Sequence, residues 1–155
     1  MARDPDTKRV VAQNRKARHR FHVLETLECG VSLVGTEVKS LRAGGCSIGE
    51  AFGRIDRGEL WLHGATIGEY SHGNIHNHVP TRPRKLLANR KEIDKWDKKV
   101  REKGVTLVPL EVYFRGHLVK VLLALVKGKK LFDKREDEKA KGARRDMERA
   151  MGRRR

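Results

Sequence analysis

Only two cysteines, Cys29 and Cys46, occur in the 155 residues. They form no recognisable motif, so no disulfide framework is expected and both read as reduced, structural thiols. A run of 18 apolar residues is also missing, which removes a membrane-spanning helix, and no signal-peptide pattern is present. The expected location is therefore the cytosol. Catalytic signatures are missing as well. Glu25, Glu28, Glu37, Glu50, Glu69 and Glu111 are scattered without a paired-carboxylate pattern, and no G-x-S-x-G, P-loop or H-E-x-x-H occurs. Neither an enzyme nor a cofactor is expected; a small nuclease is the form an enzyme would take. No cysteine and no convincing carboxylate completes a metal site locally around His72, His76 and His78, and their loop reads as polar or exposed.

Acidic residues are the last shortage. There are 20 Asp and Glu against 36 Lys and Arg, for a net charge of +16 and a pI near 10.4. Charged residues reach 36%, against about 25% in ordinary globular chains, while hydrophobic residues stand at 37%. One core is expected, with much solvated surface. The basic residues fall at both ends and in the middle, so the charge is no single tag, and its natural partner is a polyanion. No long amphipathic helix pairs a lipid-facing stripe with that charge, which sets a membrane surface aside.

Residues 1–18 are polar and basic with few apolar anchors and read as a mobile arm. Phe21, Val23 and Glu25 then alternate with His22, Leu24 and Thr26 at the period of a strand, which Glu28-Cys29-Gly30 interrupts before residues 31–34 resume it. Gly35-Thr36 leads into a short helix, Glu37-Val38-Lys39-Ser40-Leu41-Arg42, with Thr36 as N-cap. Residues 51–56 and 60–67 form a hairpin around Arg57-Gly58. Residues 70–84 read as a long loop, and residues 85–103 as a long helix with Leu86, Ile93, Trp96 and Val100 on one face. A second hairpin joins residues 105–114 to 118–126, with Pro109 placed at an edge or bulge. About six short strands with one minor and one long helix suit a small antiparallel barrel of the OB type; an open α+β sandwich is the alternative.

Basic residues gather in three places. Lys39 and Arg42 lie three apart on the short helix, where both could meet adjacent phosphates, unless they are merely its solvated face. Pro80 and Pro83 stiffen a segment displaying Arg82, Arg84 and Lys85, which loses less entropy on meeting RNA than a floppy one. Beyond Gly128, Phe132 stands among Lys129, Lys130, Lys134 and Arg135, the composition of a base-stacking contact, or else it packs back on the barrel. The last residues are good helix formers too charged to hold a core. They are expected to be disordered when free and helical once neutralised, spanning roughly 37 Å over 25 residues.

Four blocks, Asn14-Arg15-Lys16-Ala17-Arg18-His19, Gly35-Thr36-Glu37-Val38-Lys39-Ser40-Leu41-Arg42-Ala43-Gly44, Pro80-Thr81-Arg82-Pro83-Arg84-Lys85-Leu86-Leu87 and Gly128-Lys129-Lys130-Leu131-Phe132-Asp133-Lys134-Arg135, together resemble the SsrA-binding protein family, also called small protein B. The resemblance covers residues 12–135, in the family's order and spacing. It implies an OB-like barrel over residues 19–128 that binds the tRNA-like domain of transfer-messenger RNA and brings it to stalled ribosomes in trans-translation, the free chain being a monomer. By position, Glu28, Leu87 and Lys120 match residues important for RNA binding. Gly128-Lys129-Lys130 and Asp133-Lys134-Arg135 match the junction and tail motifs that act in the small subunit's decoding centre and in accommodation. The tail, residues 129–155, would then fill the empty messenger channel as a helix. Some members have histidine where this chain has Phe132, which keeps stacking and loses the polar ring.

Overall fold

The computed structural model describes residues 7–71, 77–102, 104–129 and 131–153. In chain order the elements are β1 (Lys8–Gln13), α1 (Ala17–Arg20), β2 (Phe21–Val31), α2 (Gly35–Arg42), β3 (Cys46–Ser47), β4 (Phe52–Asp56), β5 (Glu59–His63), β6 (Thr66–Ile67), β7 (Arg84–Leu87), α3 (Arg90–Val100), β8 (Val105–Arg115), β9 (Leu118–Gly128) and α4 (Leu131–Arg153).

The seven-stranded sheet runs β1-β8-β4-β5-β7-β2-β9, and β8 also pairs with β9. Six strands therefore close on themselves into a barrel, and β1 is added outside on β8. The result is mainly β and OB-like, as expected. The long hairpin β8–β9 makes sense of the apolar run from Val119: Val121, Leu123 and Leu125 point inward, while Ala124 and Val126 pack outward under Ala17 of α1. Buried on both faces, these strands read as continuous apolar sequence instead of alternating. The β8–β9 register shifts between Pro109 and Glu111, the bulge that a proline without an N–H requires.

Several boundaries differ from expectation. β2 is unbroken through Cys29 and Gly30, and its register shift on β9 falls between Val23 and Glu25. The long helix begins at Arg90 instead of 85, because Arg84–Leu87 pairs with β5 and β2 as a strand. Thr66–Ile67 leaves the first hairpin to pair with Cys46–Ser47. From residue 8, the arm expected over 1–18 is paired as β1 and then turns into α1.

The barrel interior is shared with the helices. Ile93 and Trp96 of α3 and Leu41 of α2 join Leu60, Leu86, Leu107 and Leu123 in one cluster. Trp96 Nε1–H donates to Glu25 on β2 (2.9 Å) and Lys99 Nζ reaches the same carboxylate (2.5 Å), so α3 is tied to the barrel wall. Those donors hold the Glu25 carboxyl below its ordinary range, the Lys99 bond first and the Trp96 bond second. Cys29 is fully buried, and burial pushes its thiol up to about 12 and that of Cys46 to about 11. Cys29 belongs to the core, and Cys46 is half-buried against it.

Candidate nucleic-acid interface

Sheet register assembles part of the expected site. Gly30 of β2 faces Leu87 of β7 on one side and Lys120 of β9 on the other. Leu87, Gly30 and Lys120 thus form a row across three strands, with about 10 Å between its ends. Leu86 is inside the barrel, so the next residue must point out, and Leu87 is 52% exposed. Hydrophobicity alone marks Leu87 as core; the strand reverses that. A Cβ at Gly30 would sit 3.3 Å from the Leu87 Cβ, so glycine lets Leu87 lie close over β2.

This row borders a groove of about 320 Å³ whose apolar lining is completed by Leu33, Val38 and Leu118. Leu118 is 62% exposed. Gly30 and Leu118 escaped the sequence reading. Gly30 read as a strand break and Leu118 as an ordinary first strand residue, and no local pattern separates an exposed leucine from a buried one. Lys120 is half-buried and has no ion-pair partner among the described residues, so its charge is free for an anion.

Glu28 stands two residues before Gly30 on the same face of β2. The Tyr113 hydroxyl donates to its Oε2, and Arg115 Nη2 lies 3.1 Å from the same oxygen. Burial, then the hydrogen bond to Glu28 and its charge, push the Tyr113 phenol up to about 12, so it remains a donor at neutral pH. One carboxylate oxygen is thereby fixed, while Oε1 remains an acceptor for an outside donor.

α2 reaches the groove through Val38. Its N-cap is Val34, not Thr36; the valine has no side-chain acceptor, and Glu37 Oε1 takes the Val34 N–H instead (3.0 Å). Thr36 is occupied elsewhere, with its hydroxyl 2.9 Å from Nδ1 of His78. His78 Nε2 lies 2.8 Å from the Ile67 carbonyl, so that nitrogen donates and Nδ1 accepts from Thr36. His78 is thus a buried structural residue; His72 and His76 lie outside the described residues. Lys39 and Arg42 are exposed as expected, with the Lys39 ammonium 5.5 Å from the Tyr70 ring centroid.

The proline-stiffened segment behaves otherwise. Arg84 is 0% exposed: its Nε is 2.5 Å from Glu37 Oε2, and it donates to the Ala65 and Pro80 carbonyls at 2.9 Å each. It is an internal counter-ion and not a cation displayed to a phosphate, which corrects the expectation for this residue. Arg82 bonds Glu37 Oε1 through Nε (3.1 Å) and Nη2 but keeps its side chain 32% exposed. Lys85 stays accessible, paired with Glu59 at 3.2 Å. Burial pushes the Glu37 carboxyl up, yet hydrogen bonds from Arg82, the Val34 amide and Arg84 outweigh it and hold the group below its usual range.

At the far end of β9, Gly128 pairs with Phe21. The Lys129 N–H donates to the Arg20 carbonyl (3.0 Å) and its Nζ to the Arg18 carbonyl (2.8 Å), which fixes the point where the tail departs. Lys130 lies outside the described residues. Phe132, Asp133, Lys134 and Arg135 occupy the first turns of α4, where Arg135 is exposed; the stacking expected of Phe132 lies outside the described side chains. Further along α4, Glu138 Oε1 is 3.7 Å from His19 Nε2.

Known proteins of similar sequence and fold place the chain in a family. A family model described as SmpB protein matches residues 11–153. An SsrA-binding protein of Thermobifida fusca (strain YX) is 54% identical over 147 residues, covering 95% of this chain and 92% of the relative. One from Carboxydothermus hydrogenoformans is 50% identical, covering 92% and 96% respectively. A solved structure described as "tmRNA-SmpB: a journey to the center of the bacterial ribosome" superposes with a TM-score of 0.64 at 49% identity, covering 77% of this chain and 84% of that one.

Proposed function

Because the chain belongs to the SmpB protein family, we propose that it is an RNA-binding adaptor for ribosome rescue. It binds the tRNA-like domain of transfer-messenger RNA and brings it to stalled ribosomes for trans-translation. Its work is binding in the cytosol, with no covalent step. The observation that carries this reading is the row Leu87–Gly30–Lys120 beside an open apolar groove.

Each residue there has a chemical task. Leu87 and Leu118 give a splayed base an apolar surface, Lys120 takes the adjoining phosphate, and Glu28 accepts from a base amino group or a 2′-hydroxyl. Lys39, Arg42, Arg82 and Lys85 surround them with positive potential, whereas Arg84 acts from inside by fixing Glu37 and hence the start of α2.

The barrel over 19–128 grips RNA, and residues 129–155 serve the ribosome: Gly128, Lys129, Lys130, Phe132, Asp133, Lys134 and Arg135 at the decoding centre, the rest in the messenger channel. α4 supports that division. From Arg135 to Ala150 its described side chains are exposed, and Gly142 inside it costs about 1 kcal/mol relative to alanine. A helix with so little packing is marginal in water, so the free tail unfolds and refolds against ribosomal phosphates.

Sequencing the RNA that co-purifies with the chain tests the reading. One dominant tRNA-like species is expected. A broad RNA population, or metal-dependent cleavage of the RNA, would contradict it.

A further inference from the structure

The row of residues at the proposed RNA site does not end at β9. Lys120 faces Tyr113 of β8, and Tyr113 faces Val10 of β1, so the row from Leu87 runs across five strands. Tyr113 itself is only 2% exposed. The Lys8 ammonium lies 4.5 Å and the Arg115 guanidinium 5.8 Å from its ring centroid, so two cations cover the ring. Covered in this way, the ring offers no face for a base. Its outlet is the hydroxyl, which donates to Oε2 of Glu28.

We infer that Tyr113 and Arg115 are positioning residues for RNA recognition: they occupy one oxygen of the Glu28 carboxylate, so that the other accepts from one donor on the RNA and not from a pair. The inference rests on the reading that the Leu87–Lys120 groove holds the tRNA-like RNA, and it adds how Glu28 is aimed and what it can read. The Tyr113 hydroxyl and Arg115 Nη2 (3.1 Å) converge on Oε2, whereas Oε1 has no hydrogen bond among the described residues. Glu28 is exposed, and without these two neighbours its side chain would turn among several rotamers and lose that freedom on binding. Tethered by Oε2, it meets the RNA already aimed.

Charge points the same way. A bare carboxylate on an RNA-binding face repels phosphates, and the Arg115 guanidinium beside Glu28 offsets that charge without covering Oε1. The same arginine shows what this arrangement costs the fold, because its Nε is buried with no hydrogen-bond partner among the described residues. Buried donors are ordinarily satisfied, so an orphaned one marks a side chain held in place for another purpose. Here that purpose is the pair with Glu28.

One open oxygen limits what Glu28 can recognise. A carboxylate with both oxygens free takes the N1–H and 2-amino group of guanine together, as a bidentate pair. With Oε2 filled, Glu28 takes a single donor, either a ribose 2′-hydroxyl or the exocyclic amino group of adenine, cytosine or guanine.

Tyr113→Phe, Arg115→Gln and Glu28→Ala are made in the full chain, and each of the first two is also combined with Glu28→Ala. Affinity for the isolated tRNA-like RNA domain is measured for all five, beside their melting temperatures. Tyr113→Phe and Arg115→Gln should each bind about tenfold more weakly than the parent. In the Glu28→Ala background each should change affinity by less than about twofold, because both act through that carboxylate. Equal losses in the two backgrounds, as a loosened fold or a direct RNA contact would give, would overturn the inference. So would variants that bind like the parent. Should Tyr113→Phe fail to fold, the partly exposed Arg115 carries the same cycle. A parent chain that did not bind this RNA would remove the underlying reading and the inference with it, whereas a parent that binds, with additive cycles, removes the inference alone. Single 2′-deoxy substitutions and amino-free analogues of adenosine, cytidine and guanosine are then placed along the RNA. One of them should cost the parent about tenfold and Glu28→Ala nothing, and its kind tells sugar from base. The absence of any such position would contradict the inference. A guanosine at which both inosine and N1-methylguanosine show a Glu28-dependent loss would mean a donor pair, and would contradict it too.

Discussion

Single residues in this molecule divide between those that face a partner and those that hold the partner-facing ones in place. Lys120 belongs to the first kind. Replacing it by glutamate puts repulsion where a phosphate would sit, so Lys120→Glu should weaken RNA binding and lower the slope of affinity against salt by about one ion. Filter binding across a salt series checks this, and an unaltered slope would refute a phosphate contact. Glu37 belongs to the second kind. It is fully buried between Arg82 and Arg84, and Glu37→Ala would leave Arg84 charged and unpaired inside the protein. A loss of about 3–5 kcal/mol is expected in urea unfolding.

The same carboxylate gives a pH dependence. Glu37 and Glu25 both have folded pKa values below ordinary. Their stabilisation is complete above the unfolded value of about 4.3 and is lost as pH falls through the depressed folded values. Tryptophan fluorescence, from Trp61 and Trp96, should therefore report a stable fold down to about pH 4.3 and declining stability below it. A decline beginning near neutrality would point to other groups. None of this pairing was legible in the sequence, because Arg84 and Glu37 are 47 residues apart and nothing local distinguishes a buried arginine from a displayed one. Leu87 was hidden for the opposite reason: its hydrophobicity argues for the core, and only the strand's alternation turns it outward.

At the level of elements, the two hairpins were legible in outline, whereas the starts of both α2 and α3 were not. Leu86 lies seven residues before Ile93, so a strand residue happens to continue the helical face of α3, and the spacing hid the strand Arg84–Leu87. Glycine weakens strands, yet Gly30 lies within an unbroken β2, where it makes room for Leu87. The barrel's thinnest seam is between β4 and β8, which pair through Gly53 and Leu107. A Cβ on Gly53 would come within 2.8 Å of the Leu107 Cβ, so Gly53→Val should lower the melting temperature by several degrees. Ending the chain after Phe114 removes β9, which pairs with both β2 and β8, and should abolish cooperative melting. Ending it after Arg135 should spare melting and RNA affinity while abolishing peptide tagging. The isolated peptide 133–155 should show little helix by circular dichroism in buffer; strong helicity there would contradict folding on the ribosome.

For the whole molecule, charge marks the class of partner, the strand pattern marks the barrel, and the four motif blocks mark the family. The net charge of +16 points to a polyanionic partner, and about six short strands with two helices point to a small barrel. The closed sheet adds what composition cannot: it brings residues 28, 30, 87 and 120 to one patch, and residues 14, 16, 20 and 52 to another, at opposite ends of β2. Sequence separation conceals the first patch, which strand register makes; in the second, only Phe52 is distant in the chain from Asn14, Lys16 and Arg20. The most direct measurement is the affinity of the purified chain for the isolated tRNA-like RNA domain at moderate ionic strength, beside the variant Leu87→Asp/Lys120→Glu. The parent should bind this RNA well above a plain duplex of equal length, and the variant roughly a hundredfold more weakly, one tenfold loss for each contact. Equal affinity for the two RNAs, or a variant that binds like its parent, would contradict the account.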